Sequence, residues 1–170
     1  MFDADIVPKP GALRTVAPDV HFALPAEHLR PLLTTYYGVT TPAALDDQLH
    51  PEWGNIRFTT RGEWSVTRPG CDDPTPERGA LFGPSDITGC VRSAGAGAMV
   101  GAGLTALGWA ILIAQPASKF ANRTCNLTTI YGEEAERLWS DVAGADWSTV
   151  VARFEQFSAH WRLQRRHKTR

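Results

Sequence analysis

Near residue 105 the apolar residues change their period, and no other feature of the chain limits its fold as tightly. Upstream, Ile56 and Phe58 alternate with Asn55, Arg57 and Thr59, and Trp64 and Val66 repeat that pattern with a period of two. Downstream, Trp147, Val150, Val151, Phe154, Phe157 and Trp161 fall on one stripe at three- and four-residue spacing. Alternation belongs to half-buried strands, and the longer step to one face of a helix. Strands first and helices last define an α+β class, with an antiparallel β part over 20–105 and a helical part over 106–165.

Within the β part, Leu32, Leu33, Tyr36, Tyr37 and Val39 predict a strand that ends before Pro42. Segments 55–60 and 63–68 flank Arg61-Gly62, which predicts a hairpin with glycine supplying the positive φ of the turn. Residues 69–79, with Asp72, Asp73 and three prolines, read as a polar loop. Short strands over 80–82, 87–92 and 98–100, separated by Gly, Pro and Ser, suggest a sandwich or small barrel. In the helical part, 106–114 reads as a short helix and 117–120 as a turn. Ala135, Leu138, Trp139 and Val142 share one face of a helix over 133–142, closed by Gly144. Asp146 is placed to cap the last helix. Pro8, Pro10 and Pro18 make 1–19 an irregular lead-in, 20–165 one domain, and 166–170 a basic tail or the start of a linker.

No charge occurs between Ser93 and Ser118, long enough to raise a membrane span. Gly101, Gly103 and Gly108 interrupt the stretch and Pro116 closes it, so a buried strand, a turn and a short buried helix fit better. The first 24 residues hold Asp3, Asp5, Lys9 and Arg14 and no apolar leader, which predicts a cytoplasmic protein away from membranes. A net charge of −1 supplies no field for gripping phosphates. Cys71, Cys90 and Cys125 form no CxxC pair and read as reduced, mostly buried thiols.

Chemical motifs are sparse. Gly101-Ala102-Gly103-Leu104-Thr105-Ala106 fits the GxGxxA phosphate cradle. No βαβ alternation surrounds it, however. The acidic ribose partner expected about 20 residues on is replaced by Lys119, Asn122, Arg123 and Asn126. The glycines are therefore expected to let strand and helix pack closely. His21, His28, His50, His160 and His167 show no paired spacing, so no metal or other cofactor is expected. No GxSxG occurs, no carboxylate pair stands out, and no catalytic residue is assigned. A small-molecule pocket needs aromatic walls and a few polar groups. Trp53, Phe58, Trp64 and Trp109 are the candidate walls, with Arg57 as the polar handle. The stripe through Trp147, Val151, Phe154 and Trp161 either packs on the β part or forms a dimer face.

The run Leu49-His50-Pro51-Glu52-Trp53-Gly54-Asn55-Ile56-Arg57-Phe58 resembles the Pro-acidic hairpin of a domain of unknown function at the front of bacterial AraC-type transcription regulators. Its later elements follow in order. They are Gly79 through Pro84, Val100 through Trp109, Pro116-Ala117, Ala121-Asn122-Arg123 and Leu127 through Gly132. Ala106 and Asn122 stand where that family commonly has Pro and Asp. The resemblance spans about residues 20–161 and implies an antiparallel β-sandwich or small barrel, cupin-like, followed by helices. It further implies an effector-sensing, homodimerising, non-enzymatic domain. DNA would be reached only through helix-turn-helix units, which do not occur before Arg170. A stand-alone small-molecule-binding barrel, or an enzyme without metal, is the alternative.

Overall fold

The computed structural model describes residues 17–71, 75–76 and 78–168. Most of the predicted lead-in, the Asp72-Asp73 pair of the polar loop and the last two residues of the basic tail lie outside the described residues.

Among the described residues, nine strands form two antiparallel sheets. They are β1 Asp19–Ala23, β2 Leu33–Thr41, β3 Leu45–Leu49, β4 Asn55–Arg61, β5 Trp64–Thr67, β6 Gly79–Phe82, β7 Gly89–Ser93, β8 Gly97–Leu104 and β9 Thr124–Asn126. The larger sheet has the order β1-β2-β8-β4-β6-β9 and the smaller β3-β7-β5. One helical segment, α1 Ala106–Gly108 and the π-helical turn Trp109–Ile113, leads out of β8. It is followed by α2 Thr128–Tyr131, α3 Glu133–Val142 and α4 Trp147–Lys168. The α+β class is as read from the period switch. No helix among the described residues is long and apolar enough to cross a membrane.

Alternation assigns the two faces of the larger sheet. Tyr36, Ile56, Phe58, Leu81, Val100, Ala102 and Leu104 form the main core with the helices. Ala80 and Phe82 point the other way and meet Val66, Leu49 and Val91 of the smaller sheet. The main core is closed by α4. Phe154, 1% exposed, stacks with ring centroids 5.7 Å from Tyr36 and 5.8 Å from Phe58. Of the four residues considered as a dimer face, Phe154 is buried between β2 and β4, Trp147 and Val151 are partly buried against the same core, and Trp161 is partly buried against Tyr131 of α2. Asp146 caps α4 as expected, accepting from the Thr149 N–H at 3.0 Å. Gly144, at φ +76°, ends the preceding segment. The helix runs on to Lys168, past the boundary drawn at 165.

The expected hairpin is corrected. Both strands exist and Gly62 has φ +75°, but β4 pairs with β6 and β8 while β5 pairs with β7. The Arg61-Gly62 turn therefore carries the chain from one sheet to the other. Alternation looks the same in a hairpin and in such an arch, and both edges of β4 are already taken. A Cβ on Gly62 would lie 2.6 Å from the Ala96 carbonyl oxygen, so the arch also fits tightly over the approach to β8.

The glycines of the GxGxxA run are also placed differently. Gly101 and Gly103 lie inside β8 and make room across the sheet, toward Tyr37 and Thr34, not toward a helix. Strands β1, β3 and β9 were not read from the sequence. β1 and β3 are edge strands, and the Asp46-Asp47 pair of β3 suits an edge whose outer side faces water. The three cysteines are half-buried, not fully buried.

Candidate ligand site

Register brings the site together. Tyr37 on β2 lies opposite Gly101 on β8, Gly101 opposite Arg57 on β4, and Arg57 opposite Ala80 on β6. The row reads large, empty, large, small. With no side chain at Gly101, the Tyr37 ring lies across β8 and its hydroxyl reaches Arg57. The Arg57 Nε–H donates to that hydroxyl at 2.7 Å, and the hydroxyl donates to Asn55 Oδ1 at 3.2 Å.

The carboxylate comes from the loop before β4. Glu52 is fixed by its backbone: its N–H donates to the Ser85 carbonyl at 3.2 Å and the Ser85 N–H returns to Glu52 at 2.9 Å. Glu52 Oε2 accepts from Arg57 Nη2 and, at 3.1 Å, from Asn55 Nδ2. Glu52 Oε1 lies 3.7 Å from Arg68 Nη2, and Arg68 Nη1 donates to Thr124 Oγ1 at 3.3 Å. Both guanidiniums stack on one ring, with Cζ of Arg57 4.4 Å and of Arg68 5.5 Å from the Phe82 centroid.

Charge in this cluster is buried. Arg57 is 8% exposed as a residue and the Arg68 side chain 3%. Burial lowers the Arg68 pKa; Glu52 opposes that and the like charge of Arg57 adds to it. Burial also lowers Arg57, but its contacts with Tyr37 and Glu52 outweigh burial and leave it raised. Burial pushes the Tyr37 hydroxyl up, against the pull of Arg57, so it stays protonated and able to donate. Arginines remain charged under such shifts. Among the described residues, Glu52 is the one carboxylate within ion-pair distance of either guanidinium. The described cluster therefore carries two positive charges against one negative.

Glu52 also lines a surface cleft of about 510 Å³, between Pro51 and Trp53 on one side and Pro84, Ser85 and Asn122 on the other. Trp53 stands at its edge, 67% exposed. Asn122, at φ 60°, closes the far wall by donating to Asp86 Oδ1 at 2.8 Å and accepting from the Asp86 N–H at 3.1 Å. A larger cleft of about 630 Å³ lies at the smaller sheet by Trp64. Its ionic groups, Arg92, Asp46 and Glu63, are all exposed, and Arg92 and Asp46 satisfy each other at 2.9 Å, so the buried charge favours the cleft at Glu52.

The five residues considered as one pocket are spread over the molecule. Arg57 sits at the centre of the polar cluster and Trp53 at the rim of the adjoining cleft. Phe58, one residue on along β4, faces the helices and is fully buried. Trp64 lines the other cleft and donates to the Arg61 carbonyl at 3.1 Å. Trp109 is a wedge: it packs on Gly54, where a Cβ would lie 2.5 Å from its ring, and donates to the Gln115 carbonyl at 2.8 Å. The cluster residues not singled out were Tyr37, Glu52, Asn55, Arg68 and Thr124. Asn55 was legible, sharing its strand face with Arg57 two positions on; the others meet Arg57 only through register and packing. Among the described residues no group of three His, Cys, Asp or Glu side chains could hold a metal ion.

The fold and the site together define an α+β domain: two antiparallel sheets, helices laid over one, and a buried polar cluster beneath a cleft. Among solved structures, the chain is similar to a cupin superfamily protein from Desulfitobacterium hafniense. The identity is 12% and the TM-score 0.41, with 54% of this chain and 80% of that one covered. No protein-family model and no curated protein matches the chain.

Proposed function

We propose that this domain binds a small-molecule effector and serves as the sensing, dimerising front part of an AraC-type transcription regulator in the cytoplasm. One observation carries the binding role: among the described residues, two buried guanidiniums share a single carboxylate, Glu52, which also lines a surface cleft. Burying an uncompensated charge is costly, and burying it well paired gives little net stability. A ligand that completes the pairing gives the arrangement a use. The regulator role rests on the ordered sequence resemblance from about residue 20 to 161. In that role DNA contact belongs to separate helix-turn-helix units, and the domain performs no chemistry on its effector.

The test is a metabolite panel followed by thermal unfolding, with native mass measured by light scattering with and without the responding compound. A responding compound should raise Tm in a concentration-dependent way, lose its effect in Arg57→Met, and leave a dimer of 18.6 kDa chains. A protein that stays monomeric at high concentration and answers no compound would reject the sensor reading. Turnover of a compound that binds would favour an enzyme on the same scaffold.

A further inference from the structure

The open hydrogen-bonding positions of the cluster describe the ligand's head group, on the premise that the cleft at Glu52 is the effector site. Arg68 offers Thr124 only Nη1; among the described residues its Nε and Nη2 donate to nothing. Those two nitrogens form the side-on edge of the guanidinium, whose parallel N–H groups match the two oxygens of a carboxylate. At 3.7 Å, Glu52 Oε1 is an ion-pair neighbour of Nη2 but not a hydrogen-bond partner, and among the described residues no donor reaches it. One buried edge thus lacks a bidentate acceptor, and a buried oxygen beside it lacks a donor. The spare positive charge of the described cluster selects an anion, whereas Glu52 and Asp86, which both line the cleft, repel one unless a donor stands between.

We infer that the site takes a small carboxylate carrying a hydrogen-bond donor on the adjacent carbon, a 2-hydroxy or 2-amino acid. Its carboxylate lies on the Nε/Nη2 edge of Arg68, which does not line the cleft but is buried behind Glu52 and is reached when the Glu52 side chain moves aside, and its donor lies on Glu52 Oε1. The rest of the molecule extends into the cleft, where exposed Trp53 and the flanking prolines offer an apolar wall. Phe82 holds Arg57 and Arg68 over one ring, so the edge that meets the ligand is fixed before it arrives.

The probes are 3-phenyllactate and phenylalanine, with 3-phenylpropionate lacking the donor and 3-phenyllactamide lacking the charge. Binding to the full chain is followed by calorimetry and Tm in a chloride buffer. Phenyllactate or phenylalanine should bind, and which one does identifies the donor as hydroxyl or amine. Phenylpropionate should bind about tenfold more weakly, for one lost hydrogen bond to a charged group. The amide should not bind. Arg68→Gln should abolish binding. Arg68→Lys, which keeps the charge without the fork, should weaken it about tenfold or more. Glu52→Gln should erase the preference for phenyllactate over phenylpropionate; circular dichroism confirms that each variant is folded. Equal binding of acid and amide, or unchanged affinity in Arg68→Gln and Arg68→Lys, overturns the ligand class while the effector role stands. Silence from all four probes also overturns it, and the effector role falls as well only if the wider panel is silent.

Discussion

Gly101→Ala tests the reason the site can exist. A Cβ at Gly101 would lie 2.5 Å from Cζ and the hydroxyl oxygen of Tyr37, and 2.8 Å from the Ile56 carbonyl oxygen. The Ile56 contact is backbone of the neighbouring strand and cannot swing aside. Tyr37 can swing, but it then gives up its bonds to Arg57 at 2.7 Å and Asn55 at 3.2 Å. Overpacking of this kind costs about 1–3 kcal/mol. The lost bond to a charged partner adds about 1.5–3 kcal/mol. Replacing glycine recovers roughly 0.4–1 kcal/mol by restricting the unfolded chain. The net loss is about 2–5 kcal/mol, or on the order of 5–15 °C in Tm for a domain of this size. Urea unfolding followed by far-ultraviolet circular dichroism measures it, at unchanged m-value. The companion Tyr37→Ala removes the side-chain clash, so adding Gly101→Ala to it should cost markedly less than in the native background. A Gly101→Ala variant within about 0.5 kcal/mol of the parent, the range of ordinary surface changes, would refute the close approach of Tyr37 across β8.

Three further outcomes are expected. Arg57→Met leaves the Glu52 carboxylate without its hydrogen-bonded cation and should cost about 3 kcal/mol in urea unfolding; a neutral result would mean that Arg68 or water takes over the carboxylate. Phe154→Ala empties the space between Tyr36 and Phe58 and should cost about 3–5 kcal/mol, whereas Trp53→Ala at the exposed cleft rim should leave stability nearly unchanged. Asp146 has its pKa lowered from 3.8 to about 2 by the Ser148 hydroxyl and the Thr149 N–H and hydroxyl. A lowered carboxylate pKa contributes stability above the unfolded value and loses it as pH falls through the folded one. Asp146→Ala should therefore destabilise the protein near neutral pH and flatten the part of the acid limb between 3.8 and about 2, seen in Tm against pH.

Local pattern carried much of the fold. The period switch near residue 105, the alternation of β4 and β5, the stripe of α4, its Asp146 cap and the glycine turns at 62 and 144 all express rules that act over a few residues. Those rules say which face of an element is apolar. They do not say which strand lies beside it, because an alternating segment fits a hairpin and a sheet-switching arch equally well. The pairing of β4 with β6 and β8 was settled by the larger sheet as a whole, and with it the role of Gly101 and Gly103. The same limit applies to the site. Arg57 was visible as a charged residue on an otherwise apolar strand. Its partners Tyr37, Glu52 and Arg68 come from other strands and loops and meet it only after two sheets and a loop have closed around Phe82. Sequence alone determined the α+β class and one residue of the polar cluster; tertiary packing decided the rest, because burial and charge pairing depend on neighbours that lie far apart along the chain.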